Sequence, residues 1–186
     1  MVDILILDNY GQYTHRIYRT LRYLNVEAKI VPNTISVEEI AEFDPVGVIL
    51  SGGPDLDRVG NCESIVKELN IPILGICLGH QLIAKTYGGK VARGMKGEYA
   101  ETEIIIDKPV GILEGLGKKI VAWASHMDEI EETPKDFEII AHSEVCKNEA
   151  MMHKKKDIFG VQFHPEVAHT PKGPEIFKNF LKICRE

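Results

Sequence analysis

The sequence has only four cysteines and no pair of them: Cys62, Cys77, Cys146 and Cys184 lie far apart, with no C-x-x-C unit. That spacing offers no disulfide framework and suits a protein kept reduced, so a cytoplasmic setting is expected. Positive charge is not in excess either. Against 22 basic side chains stand 28 acidic ones, a net charge of −6, which leaves no electrostatic footprint for a polyanion; a nucleic-acid partner is not expected. No apolar run approaches the ~20 residues of a membrane span. The N-terminal Met1-Val2-Asp3-Ile4-Leu5 lacks the basic residues that open a signal peptide, so neither membrane nor export is expected. There is no internal repeat, low-complexity stretch or linker, no G-x-x-x-x-G-K-[ST] phosphate loop, and no His/Cys cluster at zinc spacing. No metal or nucleotide cofactor is therefore expected on this chain.

What remains is an ordinary globular composition, 44% hydrophobic and 27% charged over 186 residues, enough for one well-buried core and short for two; a single domain over residues 1–186 is expected. Short apolar runs alternate with amphipathic stretches: Ile4–Leu7, Tyr13–Leu24, Val26–Val31, Val37–Ala41, Val46–Leu50, Glu63–Leu69, Pro72–Ile76 and Leu78–Tyr87. This alternation marks a βαβ fold, and the unbroken apolar character of Pro72–Ile76 marks a strand covered on both faces. Beyond Lys90 short strands follow with little helix between them: Glu103–Ile106, Lys119–Trp123, Glu138–Ala141, Ala150–His153 and Ile158–Phe163. The run Lys154-Lys155-Lys156-Asp157 reads as a solvated hairpin turn. An amphipathic helix over Gly173–Ile183 closes the chain. The expected fold class is α/β: an open, mostly parallel, flavodoxin-like sheet with helices on both faces and an antiparallel extension. Ligands of such sheets bind beyond the carboxyl ends of the strands.

Chemistry is concentrated at three places. In Gly75-Ile76-Cys77-Leu78-Gly79 a cysteine stands at the switch from a buried strand to a helix, with glycine at −2 and +2, the form of a nucleophile elbow. The glycines remove the Cβ atoms that would collide in so sharp a turn, and the helix N-terminus favours negative charge on the Cys77 sulfur. The other three cysteines have no such setting and read as core or incidental residues. A thiolate attacking an amide needs a proton for the leaving nitrogen, from a histidine oriented by a third group. In Gln162-Phe163-His164-Pro165-Glu166 a strand is expected to end in His-Pro-Glu, with the i, i+2 spacing of extended chain sending His164 and Glu166 to one face. Charge developing on the substrate oxygen needs donors. The backbone N–H of Leu78 is one, and Gly53, in the turn Ser51-Gly52-Gly53-Pro54-Asp55 after the adjacent strand, is the other. Pro54 and the lack of a serine after Asp55 count against that turn as a phosphate cradle.

With Gly75–Gly79, Ser51–Pro54 and His164-Pro165-Glu166 in chain order, the sequence resembles the class I (triad) glutamine amidotransferases over essentially its whole length. More narrowly, Leu7–Tyr13, Ser125-His126-Met127-Asp128 and Gly160–Thr170 are similar to the glutaminase portion of GMP synthetases. The resemblance implies the class I amidotransferase fold and L-glutamine as substrate. It implies that Gln81 helps hold the glutamine, and that backbone around Ser125, His126 and Met127 grips its α-amino and carboxylate end. It also implies that ammonia goes to a separate ATP pyrophosphatase subunit, which would bind ATP and Mg and convert XMP to GMP. A glutaminase of another synthase, such as anthranilate synthase, is the alternative, and a cysteine peptidase or binding module on this fold is weaker, since neither calls for both elbow and His-Pro-Glu.

Overall fold

The computed structural model describes residues 2–186, and for residues 95 and 96 the backbone alone. The first half of the chain runs β1 (Ile4–Asp8), α1 (Thr14–Tyr23), β2 (Ala28–Pro32), α2 (Val37–Phe43), β3 (Gly47–Leu50), α3 (Cys62–Glu68), β4 (Ile73–Ile76) and α4 (Leu78–Thr86). The second half is β5 (Lys90–Ile106), β6 (Lys119–Glu132), β7 (Phe137–His142), β8 (Ala150–His153), β9 (Ile158–Val161) and α5 (Gly173–Cys184). The nine described strands form one sheet in the order β2-β1-β3-β4-β9-β8-β7-β5-β6. Pairing is parallel from β2 through to β9 and antiparallel from β9 to β6. The expected parallel sheet with an antiparallel extension is thus observed, and Lys154–Asp157 is the turn between β8 and β9.

The central strands show why no polar alternation marks them. Ile4, Ile6, Ile49, Leu74 and Ile76 pack on one face with Ile17 and Leu21 of α1 and Ile176, Phe177 and Phe180 of α5. Leu5, Leu7, Val48, Leu50 and Ile73 pack on the other with Ile40 of α2, Ile65 and Val66 of α3, and Leu82 and Ile83 of α4. Successive side chains of a strand alternate between faces, so a strand between two helical layers is apolar at every position. Helix ends follow local chemistry. Ser36 and Glu39 form a capping box at the start of α2, each side chain satisfying a backbone N–H that the first turn leaves unpaired.

Two expectations are corrected. Strands β5 and β6 are a long antiparallel hairpin, extending well beyond Glu103–Ile106 and Lys119–Trp123, with a register shift between Arg93 and Glu98. Glycines at 94 and 97 and the polar run Glu98–Glu103 conceal it from a hydrophobicity pattern. Strand β9 ends at Val161, so His164 does not lie at its tip. His164 instead forms an isolated antiparallel bridge with Trp123, and Pro165 and Glu166 form a turn.

The elbow is packed without slack. A Cβ added at Gly75 would lie 2.5 Å from the Gly79 carbonyl, and one added at Gly79 would lie 2.4 Å from the Leu50 oxygen. Cys77 between them has φ 52° and ψ −104°, a conformation that side-chain-bearing residues rarely adopt. Gly79→Ala would therefore force α4 off β3. The expected cost is roughly 1–3 kcal/mol of overpacking, a fall in Tm of roughly 2–12 °C for a chain of this size. An unchanged melting curve would contradict the packing argument.

Candidate active site

Cys77 stands at the carboxyl edge of the sheet, on the wall between two clefts. Its N–H donates to the Val161 carbonyl at 2.8 Å, which ties the elbow to β9. One cleft, of about 280 Å³, is lined by Tyr10–Thr14, Gly52, His164 and Glu166; the other, of about 440 Å³, by Asp55, Leu78, Gln81, Tyr99 and Ser125–Asp128. Gln12, Gly53, Pro54, Cys77 and Ser125 border both. The sulfur thus has the histidine on one side and the residues expected to hold substrate on the other, the disposition in-line attack by a base-assisted nucleophile requires.

His164 and Glu166 are buried, and the His164 Nδ1 lies 2.7 Å from the Glu166 Oε1. An ionised carboxylate only accepts, so Nδ1 carries hydrogen and Nε2 is left to act on the sulfur. Burial by itself lowers the His164 pKa; the Glu166 charge, a hydrogen bond with Cys77 and the hydrogen bond with Glu166 outweigh it and raise the pKa well above the ordinary imidazole value. The backbone around the ring is pinned as well. The His164 N–H donates to the Trp123 carbonyl at 2.9 Å. The Thr170 hydroxyl accepts from the Trp123 N–H at 2.9 Å and donates to the His164 carbonyl at 2.6 Å. The Tyr13 ring meets His164 edge-on at 4.9 Å, and His169 packs on Trp123 at 5.0 Å.

The other thiols are unsuited to attack. Burial pushes Cys62 and Cys184 up to about 12 and Cys146 higher still. His80, on the elbow helix, is fully buried, and burial pushes it down to about 3, so its imidazole is neutral. It fills the space a Cβ on Gly160 would occupy. His142 has a carboxylate partner that the sequence reading did not foresee, Asp107 at 2.7 Å, but the pair is on the surface.

Gly53 and Leu78 border the cleft with Cys77, and neither amide N–H donates to a protein group among the described residues. A Cβ at Gly53 would lie 2.1 Å from the Asn9 carbonyl. Asn9 holds this loop in place: its N–H donates to Ser51 Oγ at 2.8 Å, its Nδ2 to the Ser51 carbonyl at 3.1 Å, and its Oδ1 accepts from Asn33 at 3.1 Å. The resemblance of Leu7–Tyr13 pointed to that segment but gave Asn9 and Tyr10 no role; the Tyr10 φ of 66° makes it, with Cys77, one of two residues of the first cleft at strained positive φ. Ser125, His126 and Met127 line the second cleft with Gln81. The Gln81 amide nitrogen is committed, donating to the Asp128 carbonyl at 2.7 Å and to Gln162 Oε1 at 3.1 Å; only its oxygen remains to meet a ligand. Gln162, likewise quoted within Gly160–Thr170 without a role, places its Nε2 3.7 Å from the Cys77 sulfur. Among the described residues no group of three or more His, Cys, Asp or Glu side chains is placed to hold a metal ion, and no helix is long and apolar enough to cross a membrane.

The family described as glutamine amidotransferase class-I matches residues 5–184. The chain belongs to the class I glutamine amidotransferases. Among relatives of this amidotransferase, a glutamine-hydrolyzing GMP synthase subunit from Thermococcus kodakarensis is 57% identical over 186 residues, covering 98% of this chain and 99% of that one. The protein of the same description from Methanocaldococcus jannaschii is 56% identical over 97% of each. A crystal structure of a 40% identical protein from Thermoplasma acidophilum superposes with a TM-score of 0.94, covering 100% of this chain and 94% of that one.

Proposed function

We propose that this amidotransferase is the glutamine-hydrolysing subunit of a GMP synthase, and that Cys77, His164 and Glu166 perform the hydrolysis. The observation that carries the reading is the full-length similarity to glutamine-hydrolysing GMP synthase subunits in a chain that places His164 beside an elbow cysteine. The Cys77 thiol passes its proton to His164 Nε2, and the sulfur attacks the side-chain amide carbon of glutamine from the wall of the larger cleft. The Gly53 and Leu78 amides receive the oxyanion of the tetrahedral intermediate. His164, protonated on both nitrogens, gives the Nε2 proton to the leaving nitrogen, so ammonia departs and a thioester remains on Cys77. Neutral His164 then takes a proton from water, the hydroxide attacks the thioester, and glutamate leaves with the thiol restored. Glu166 holds the ring's orientation and its charge. Gln81 helps hold the glutamine, and the backbone around Ser125, His126 and Met127 grips its α-amino and carboxylate end.

The partner is a separate synthase subunit, and we take it to be an ATP pyrophosphatase that binds ATP and Mg, activates XMP and accepts the ammonia. Both proteins would act in the cytoplasm. Ammonia released without an acceptor is wasted, so the isolated chain is expected to be a poor glutaminase, switched on by contact. A donor shifted by ~1 Å changes rates by ~10²-fold, so a small movement of the Ser51–Pro54 loop suffices. The test is steady-state glutaminase activity of the purified chain with and without the ATP pyrophosphatase subunit, XMP and Mg-ATP. Stimulation of ten-fold or more, on the order expected from that shift, supports the reading. Equal turnover refutes control by contact, and stimulation by an anthranilate synthase large subunit instead would reassign the chain.

A further inference from the structure

The nucleophile has a polar neighbour that none of these steps uses. Gln162 is fully buried, with its Nε2 3.7 Å from Cys77 Sγ and its Oε1 3.1 Å from Gln81 Nε2. Gln81 Nε2 also donates to the main-chain carbonyl of Asp128 at 2.7 Å. The far end of this series fixes its direction. A carbonyl only accepts, so Gln81 must turn its NH2 group toward Asp128. Its second N–H then faces Gln162, which must receive it with oxygen. Gln162 is left presenting its own N–H to the sulfur, and the orientation of two amides follows from one backbone carbonyl.

A second contact gives that direction a purpose. As a neutral thiol Cys77 donates to the Ser125 carbonyl at 3.8 Å, a contact the ionised sulfur cannot make. The Gln162 N–H favours the opposite state, because it bonds best to negative sulfur. With Gln162 fully buried, water does not compete for its amide.

We propose that Gln162 is a second residue acting on the reacting sulfur: the last donor of a one-way relay from the Asp128 carbonyl through Gln81, it stabilises the Cys77 thiolate alongside His164. The inference rests on the amidotransferase reading only in taking Cys77 as the nucleophile. No bond is made or broken by Gln162; it holds charge before the attack and again when ammonia has left and the thioester is hydrolysed.

The test needs neither glutamine nor a partner. Alkylation of Cys77 by iodoacetamide, located by mass spectrometry of the whole chain, is followed across pH in wild type, Gln162→Glu and Gln162→Met. Glutamate has the same shape and still accepts from Gln81 but, ionised, offers the sulfur no hydrogen; methionine fills the volume without a donor. Charge-assisted hydrogen bonds of this kind shift equilibria by roughly 10–100-fold. Both variants are therefore expected to alkylate that much more slowly at neutral pH, with the half-maximal rate displaced to higher pH. The other titrating groups near the relay are His164 and Glu166 beside the sulfur, Glu149, whose main-chain carbonyl accepts the Gln162 main-chain N–H at 2.8 Å, and His126 and Asp128 at its far end. All three proteins share them, so in Gln162→Met the displacement reports the donor, whereas in Gln162→Glu it also contains the repulsion of the thiolate by the added carboxylate. Circular dichroism identifies a variant that has not folded; slow alkylation supports the donor when Gln162→Met shows it, and an unmoved profile in either folded variant counts against it. Wild-type rates with an unmoved pH profile in a folded variant would overturn the proposal. If wild type fails to hydrolyse glutamine beside its partner while these variants still alkylate slowly, the functional reading fails and the relay stands.

Discussion

Cys77→Ala is expected to lose glutamine hydrolysis by on the order of 10⁴–10⁶-fold while keeping the wild-type fold. In the proposed reaction the sulfur is the atom that becomes acylated, and no described side chain lies where it could take over. Alanine and cysteine meet the same backbone constraint at φ 52°, so the substitution neither adds nor relieves strain. Loss of activity therefore reports chemistry rather than unfolding. Cys62→Ala, Cys146→Ala and Cys184→Ala supply the contrast. Their thiols are raised by burial, and each is expected to retain activity while losing some stability to the cavity it leaves. Steady-state ammonia release beside the partner subunit measures all four. More than a tenth of wild-type activity in Cys77→Ala would remove Cys77 from the reaction.

The elbow could be found in the sequence because its requirement is local: a nucleophile between a strand and a helix needs glycine at fixed offsets, and Gly75 and Gly79 state that need directly. The pairing of His164 with Glu166 was also legible, though for a different reason than spacing along a strand. Strand β9 stops at Val161, and the ring is set by contacts with residues distant in sequence: Trp123, Thr170 and Tyr13. Such contacts leave no periodic trace. The β5–β6 hairpin was hidden for a related cause, since Tyr99, Glu101 and Glu103 face outward and the register shift interrupts the alternation that marks a strand. Gln162 stands between Val161 and Phe163 in an apolar run, where nothing but the neighbouring Gln81 and Cys77 reveals it as part of the site. Tyr10 is a further case. Tyrosine is no turn former, so its positive φ is not announced by residue type; the Asp8 carboxylate accepts the Tyr10 N–H at 2.8 Å in a local turn beside it.

His164→Ala is expected to cost ~10²–10⁴-fold in glutamine turnover, the contribution of a positioned acid and base, and Glu166→Gln distinctly less, roughly 10–100-fold. The difference follows from what each change leaves behind. Alanine at 164 removes the proposed proton carrier. Glutamine at 166 still offers an oxygen to the Nδ1–H at the site of the 2.7 Å contact, so the ring keeps its orientation and loses only the charge that holds its proton. That loss has a sign. Burial lowers the His164 pKa, and the Glu166 charge is the largest of the causes that raise it; with that charge gone, the folded-state value must fall. The alkaline limb of the pH–rate profile should then move to lower pH in Glu166→Gln, and stability should follow the same linkage. A raised folded-state pKa contributes stability that is complete below the unfolded imidazole value and is lost as pH rises through the folded value. Wild type should therefore exceed Glu166→Gln in stability most clearly at and below the ordinary imidazole range, and the gap should narrow as pH rises. Turnover and denaturant unfolding across that range measure both effects. An alkaline limb that stays in place, or one that moves upward, would mean that Glu166 does not govern the His164 proton and that another group completes the triad.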